Sequence, residues 1–242
     1  MDIHQMDMKS TIIRMKVSIP ENAQGLCIIV SSGQFGKFDE EGAEGELEFY
    51  SSLFSTLPTL GYGVLQPDMP IRGDRKVPAS MEHITERENV LKNCLNSSIV
   101  EDFGWDRIVV VGMSLGSQIV LNNLNKPYAG VALIGCVIES EPVNYGLVNN
   151  IHLIYGSHDY IAYRSEEGDL LPISPEDYSK TSLKFLEEAE IKNASCTILE
   201  GFGHTLAIKE ETQEKPVDFF ISLLNKWLGK NPKVEVKQNE KR

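Results

Sequence analysis

The sequence predicts an α/β protein, with a mostly parallel central sheet covered by helices on both faces. Three observations predict it. Short continuous apolar runs, such as 26–30, 108–111 and 130–137, suit strands buried on both sides. Longer segments between them carry apolar residues at helical spacing. The two kinds of segment alternate, which calls for parallel pairing through helical crossovers.

Taken in order, residues 1–10 are polar and are expected to be a loose N-terminus. Residues 11–19 alternate apolar and polar side chains, a strand pattern ended by Pro20. After a turn-like stretch comes the apolar run 26–30, which leads into a loop of small residues, Ser31-Ser-Gly-Gln-Phe-Gly36. An acidic patch follows, with Asp39, Glu40, Glu41, Glu44, Glu46 and Glu48. It reads as a solvated helix start, where carboxylates favour the positive end of the helix dipole. Leu47, Phe49, Tyr50, Leu53, Phe54 and Leu57 form the apolar face of that helix, and Pro58 and Gly61 end it.

Residues 61–67 read as the next strand and 81–99 as a helix with Ile84, Val90, Leu91, Cys94 and Leu95 at helical spacing. Strand 108–111 precedes helix 117–124. Further strands are expected at 130–137, 151–155 and 195–199, and further helices at 177–189 and 217–228. No linker or internal repeat interrupts 11–228, which reads as one domain. The tail 229–242 carries five basic and two acidic residues and is expected to be disordered.

Composition narrows the function. The net charge of −12 argues against a nucleic-acid partner and against an anionic membrane surface. No run approaches the roughly 18 apolar residues of a spanning helix, and the N-terminus has no apolar signal-peptide core. Cys27, Cys94, Cys136 and Cys196 are widely spaced, without C-x-x-C and without nearby histidines. Neither a disulfide framework nor a zinc site is expected, and a reducing cytoplasm is the default. No cofactor or metal is called for.

The chemistry concentrates where strand 108–111 meets its helix. Gly112-Met-Ser-Leu-Gly116 is a G-x-S-x-G turn with strand before and helix after, the context that motif requires. Such a turn strains its central residue and exposes the Ser114 hydroxyl. A serine hydroxyl is a weak nucleophile, so a base and an orienting acid are needed elsewhere. In parallel sheets functional residues gather at the carboxyl ends of strands. After strand 151–155 comes Gly156-Ser-His-Asp159, and after strand 195–199 comes Gly201-Phe-Gly-His204. His204 can relay the proton of Ser114, and Asp159 can fix the His204 tautomer. Read singly, Asp159 is a turn former and His204 a surface or capping residue. Their joint placement makes them the acid and the base.

The elbow Gly112–Gly116, the Gly156-Ser-His-Asp159 turn and the Gly203-His204 pair, in this chain order, resemble the α/β-hydrolase superfamily. The resemblance runs from about residue 26 to residue 227. It implies the α/β-hydrolase fold and a serine hydrolase that cleaves a small-molecule carboxylic ester or thioester through an acyl-enzyme. Residues 138–150, where many members insert a lid, are too few for a helical cap, so no substantial lid is expected. Many members carry His-Gly after the third strand, where this chain has Ser32-Gly33-Gln34-Phe35-Gly36. The oxyanion hole needs a backbone N–H from that loop, and the resemblance implies that of Gln34 or Phe35 together with that of Leu115. Met113 and Ser117 stand where many members have histidine and glycine. Glu139 is the back-up acid, and His158 and the segment 160–176 are candidates for lining the pocket. The alternative from another class is a non-catalytic member of the fold that binds a ligand or partner. A lyase or transferase using the same residues is a third reading.

Overall fold

A computed structural model describes residues 2–8, 11–33, 45–71, 79–138, 147–164 and 170–229. Eight strands form one sheet in the order β1-β2-β4-β3-β5-β6-β7-β10. β1 (Asp2–Met8) and β2 (Thr11–Ser18) pair antiparallel, and β2 runs antiparallel to β4 (Gly63–Pro67). From β4 onward the strands are parallel: β3 (Leu26–Val30), β5 (Ile108–Met113), β6 (Gly130–Ile134), β7 (Asn150–His158) and β10 (Asn193–Gly203).

Two apolar clusters sandwich this sheet, and strand alternation divides the side chains between them. Ile108 and Val110 of β5 face one cluster, whereas Val109, Val111 and Met113 face the other. The first face is covered by α2 (Met81–Leu95), α4 (Leu115–Leu121) and α5 (Pro175–Glu188). The second is covered by α1 (Glu46–Thr56) and α6 (Pro216–Trp227). The sheet is therefore covered on both faces.

Local chemistry sets the boundaries. Ser80 accepts from the N–H of His83 and Ser174 from that of Asp177, which caps α2 and α5. The helix expected over 81–99 breaks at Asn96–Ser97, where Ser97 turns extended, and resumes as the short α3 (Ser98–Glu101). β6 stops at Ile134 because Gly135 takes a left-handed turn at φ 58°. The strand leading to Asp159 runs to His158, three residues past the apolar stretch read from the sequence.

One expectation is corrected. Residues 2–8, expected to be loose, form β1 in register with β2 from Asp2↔Val17 to Met8↔Thr11. An edge strand is held by its backbone ladder and needs no apolar periodicity. The segment 160–176 holds a two-stranded hairpin, β8 (Ile161–Arg164) with β9 (Leu170–Ile173), followed by the start of α5. The expected disordered tail lies outside the described residues from 230 onward, as do most residues of the short lid-position stretch.

Candidate active site

Ser114 sits between β5 and α4 with φ 53° and ψ −119°, a left-handed geometry that a serine adopts only when its surroundings hold it there. The surroundings are tight. A Cβ on Gly116 would lie 2.1 Å from the Val30 carbonyl oxygen, and one on Gly112 would lie 2.7 Å from the Ser117 Cα. The turn can therefore form only with glycines on both flanks. The N–H of Ser114 and the hydroxyl of the buried Ser117 both donate to the Ile134 carbonyl, at 2.8 and 3.0 Å. Ser117 thus ties the elbow to β6, a use for the hydroxyl that the motif does not reveal.

His204 follows β10 at the tip of a tight turn. Gly203 N–H donates to the Ala207 carbonyl (2.8 Å), and Leu206 N–H donates to that of Gly203 (3.0 Å). Asp159 follows β7 in a turn closed by its own N–H to the Gly156 carbonyl at 3.0 Å. The Tyr178 hydroxyl of α5 donates to the Asp159 main-chain oxygen, which pins that turn to the helix.

These three elements bring the side chains into one chain of hydrogen bonds. Ser114 Oγ lies 2.9 Å from His204 Nε2, and His204 Nδ1 lies 2.8 Å from Asp159 Oδ1. With Nδ1 protonated, Nε2 is left free to accept the serine proton. The imidazole is 37% exposed while the carboxylate is 0% exposed, so the ring meets solvent and its partner does not. Asp159 Oδ2 has no hydrogen-bond partner among the described residues. The carboxylate is thus directed at the imidazole alone within them.

The ring of His204 packs on Gly135. A Cβ there would fall 2.7 Å from the imidazole Cε1 and 2.8 Å from Nδ1, at a backbone φ of 58°. Gly135→Ala is expected to push the ring off the serine. If His204 acts as the base, turnover falls by about 10²-fold, since ångström displacements of a reacting group have that effect. Steady-state kinetics with an active ester substrate checks this. A kcat within twofold of wild type would show that the ring is not seated there.

The other candidates fall elsewhere. Gln34, Phe35 and Glu139 lie outside the described residues. Leu115 opens α4 directly after Ser114. His158 turns toward Glu210, with 3.1 Å between Nε2 and the carboxylate. Ile173, from the 160–176 segment, lines a cavity of about 530 Å³ together with Val137, Ile138 and Tyr178. A larger cleft of about 690 Å³ opens between α1, the turn after His204 and α6, lined by Phe49, Phe202, Leu206 and Pro216 among others. Burial pushes the thiols of Cys94 and Cys136 up to about 12, so they stay protonated and unreactive at neutral pH. Among the described residues no group of three or more His, Cys, Asp or Glu side chains is arranged to hold a metal. No helix among them is long and apolar enough to cross a membrane.

A second serine–histidine contact exists, and its setting is different. His152 lies near the amino end of β7, with Nδ1 2.7 Å from Ser195 Oγ and Nε2 3.0 Å from Thr197 Oγ1. It is 6% exposed, and its ring packs against Phe219. Burial, then the charge of Lys226, lowers its pKa to about 4. Both nitrogens are occupied by hydroxyls, and no carboxylate among the described residues pairs with it, so it serves as a neutral core residue. The unfolded chain binds this proton near pH 6.5 and the folded chain only near 4. Stability is therefore full above pH 6.5 and declines as pH falls toward 4, by roughly 2–3 kcal/mol from this group. Urea unfolding at pH 7 and 4.5 should show a smaller loss for His152→Gln than for wild type. Equal losses would contradict the assignment.

No protein-family model and no curated protein matches the sequence. Solved structures do match. One described as a "predicted CIB-like hydrolase" from Thermoplasma acidophilum superposes with a TM-score of 0.61 at 17% identity, covering 94% of this chain and 98% of that one. A serine hydrolase without lid from Xanthomonas campestris gives 0.57 at 11% identity, covering 94% and 93%. An alpha/beta hydrolase enzyme from a Medee basin deep-sea metagenome library gives 0.56 at 13% identity, covering 94% and 98%. With the strand order and the placement of Ser114 between β5 and α4, these likenesses identify the architecture: the chain has the α/β-hydrolase fold.

Proposed function

We propose that this chain is a serine hydrolase that cleaves a carboxylic ester or thioester of a small molecule. The observation that carries the reading is the unbroken hydrogen-bond chain from Ser114 through His204 to Asp159, with the serine held at φ 53°. All three structural neighbours described above carry hydrolase in their descriptions, which supports the same reading.

Each group has one task. His204 Nε2 takes the Ser114 proton as Oγ attacks the carbonyl carbon, and Asp159 stabilises the imidazolium that forms. The carbonyl oxygen becomes an oxyanion, met by the Leu115 N–H and by an N–H of Gln34 or Phe35. His204 then protonates the leaving alcohol or thiol as the carbon–heteroatom bond breaks, leaving Ser114 acylated. Water, deprotonated by His204, hydrolyses the acyl-enzyme and restores the serine.

A panel of p-nitrophenyl esters and acyl thioesters with short and long acyl groups tests the reading and finds the substrate class. Turnover of at least one member well above the uncatalysed rate is the expected result. A flat panel from folded protein would argue for a ligand-binding role on the same fold.

A further inference from the structure

Glu46 belongs to the acidic run that the sequence assigns to a solvated helix start, yet it is 0% exposed. Its carboxylate is fully engaged. Ser32 N–H donates to Oε1 at 2.8 Å, the Ser32 hydroxyl to Oε2 at 2.6 Å, and the Tyr50 hydroxyl to Oε1 at 2.7 Å. Arg87 of α2 is equally buried at 0% exposure. Its guanidinium donates to the carbonyls of Ser31 and Ser32, the latter at 3.1 Å, and to that of Pro70 at 2.7 Å.

The two charged side chains thus grip the same short piece of backbone, the exit of β3. The carboxylate takes its N–H and the guanidinium takes its carbonyls. That division fixes which way the Ser31 and Ser32 peptide planes face. The same backbone is the seat of the nucleophile turn: the Val30 and Ser31 carbonyl oxygens would lie 2.1 and 2.5 Å from a Cβ on Gly116. Gly116 follows Leu115, whose N–H is the oxyanion donor proposed above, and the other proposed donor lies just beyond Gly33.

Burying a carboxylate and a guanidinium is an inefficient way to gain stability, because apolar side chains of similar size commonly do as well or better. What charged groups add is direction. We propose that Glu46 and Arg87 are positioning residues that orient the β3 exit, and through it the oxyanion side of the active site. This rests on the serine-hydrolase reading. Arg87 suits the task because its planar fork reaches several carbonyls at once, which a lysine ammonium on a flexible stem does not.

The test uses the full chain, an ester turned over by the wild type, and a fluorophosphonate probe. Glu46→Gln and Arg87→Lys are each expected to lower kcat by about 10- to 100-fold while KM stays within about twofold, the pattern of a lost transition-state interaction. Fluorophosphonate labelling of Ser114 should slow in parallel. The double variant Glu46→Leu/Arg87→Met removes both charges together. It strands the Ser32 N–H and the Ser31, Ser32 and Pro70 carbonyls, so it is expected to melt below the wild type and to show the reduced kcat. Single variants that turn over at the wild-type rate would overturn the proposal, as would a folded double variant with wild-type kcat. If the double variant fails to fold, the kcat against KM split of the single variants decides. A wild-type chain that neither labels nor turns over any ester would overturn the hydrolase reading itself, and is distinguishable from every variant result.

Discussion

Ser114→Ala is expected to remove essentially all turnover, a loss of about 10⁴- to 10⁶-fold in kcat, with little change in melting temperature. The serine already carries a Cβ at φ 53°, so alanine meets the same backbone strain. Only Oγ is lost, together with its 2.9 Å contact to a part-exposed imidazole. No buried group is left newly unsatisfied, which is why stability should hold. The comparison is made on the best ester of the panel, with differential scanning fluorimetry run in parallel. Residual activity above about 1% of wild type would mean that another nucleophile carries the reaction.

Asp159→Asn should come next, with kcat lower by about 10⁴-fold and KM little altered. The substitution keeps the shape and leaves the main-chain contact to Tyr178 in place. What changes is the proton on His204. Asp159 Oδ1 accepts from Nδ1 at 2.8 Å, which leaves Nε2 unprotonated toward Ser114. An asparagine can present its amide N–H₂ instead, which favours the opposite tautomer and blocks the base. The carboxylate is 0% exposed, so no solvent ion substitutes for it. Steady-state kinetics of the purified variant decides the matter; a kcat within tenfold of wild type would remove Asp159 from the mechanism.

The residues that meet in the hydrogen-bond chain were legible because each lies just past a strand. Ser114 follows β5, Asp159 follows β7 and His204 follows β10, and a parallel sheet sends all those ends to one rim. The alternation of apolar strands and helices was equally legible, since burial on both faces leaves a continuous apolar run. Edges and supports were not. β1 is polar and gains its order from pairing with β2, a long-range fact absent from its own pattern.

Glu46 was hidden by its acidic neighbours, although a signal was present. It stands four residues before Tyr50 and seven before Leu53, both buried, and so shares their face of α1. Arg87 likewise stands four residues before Leu91, on the buried side of α2. A charged residue in phase with an apolar stripe is the pattern to read for. The role of Ser117 could not be read at all, because its partner, the Ile134 carbonyl, is a backbone atom on another strand.

Intact-mass spectrometry of the folded chain after exposure to a fluorophosphonate probe, followed by peptide mapping, tests the central claim most directly. A single adduct on Ser114, absent from Ser114→Ala and strongly slowed in His204→Ala, is the predicted result. An unmodified Ser114 in folded protein, or labelling that proceeds as fast without His204, would contradict the claim that the hydrogen-bond chain activates this serine.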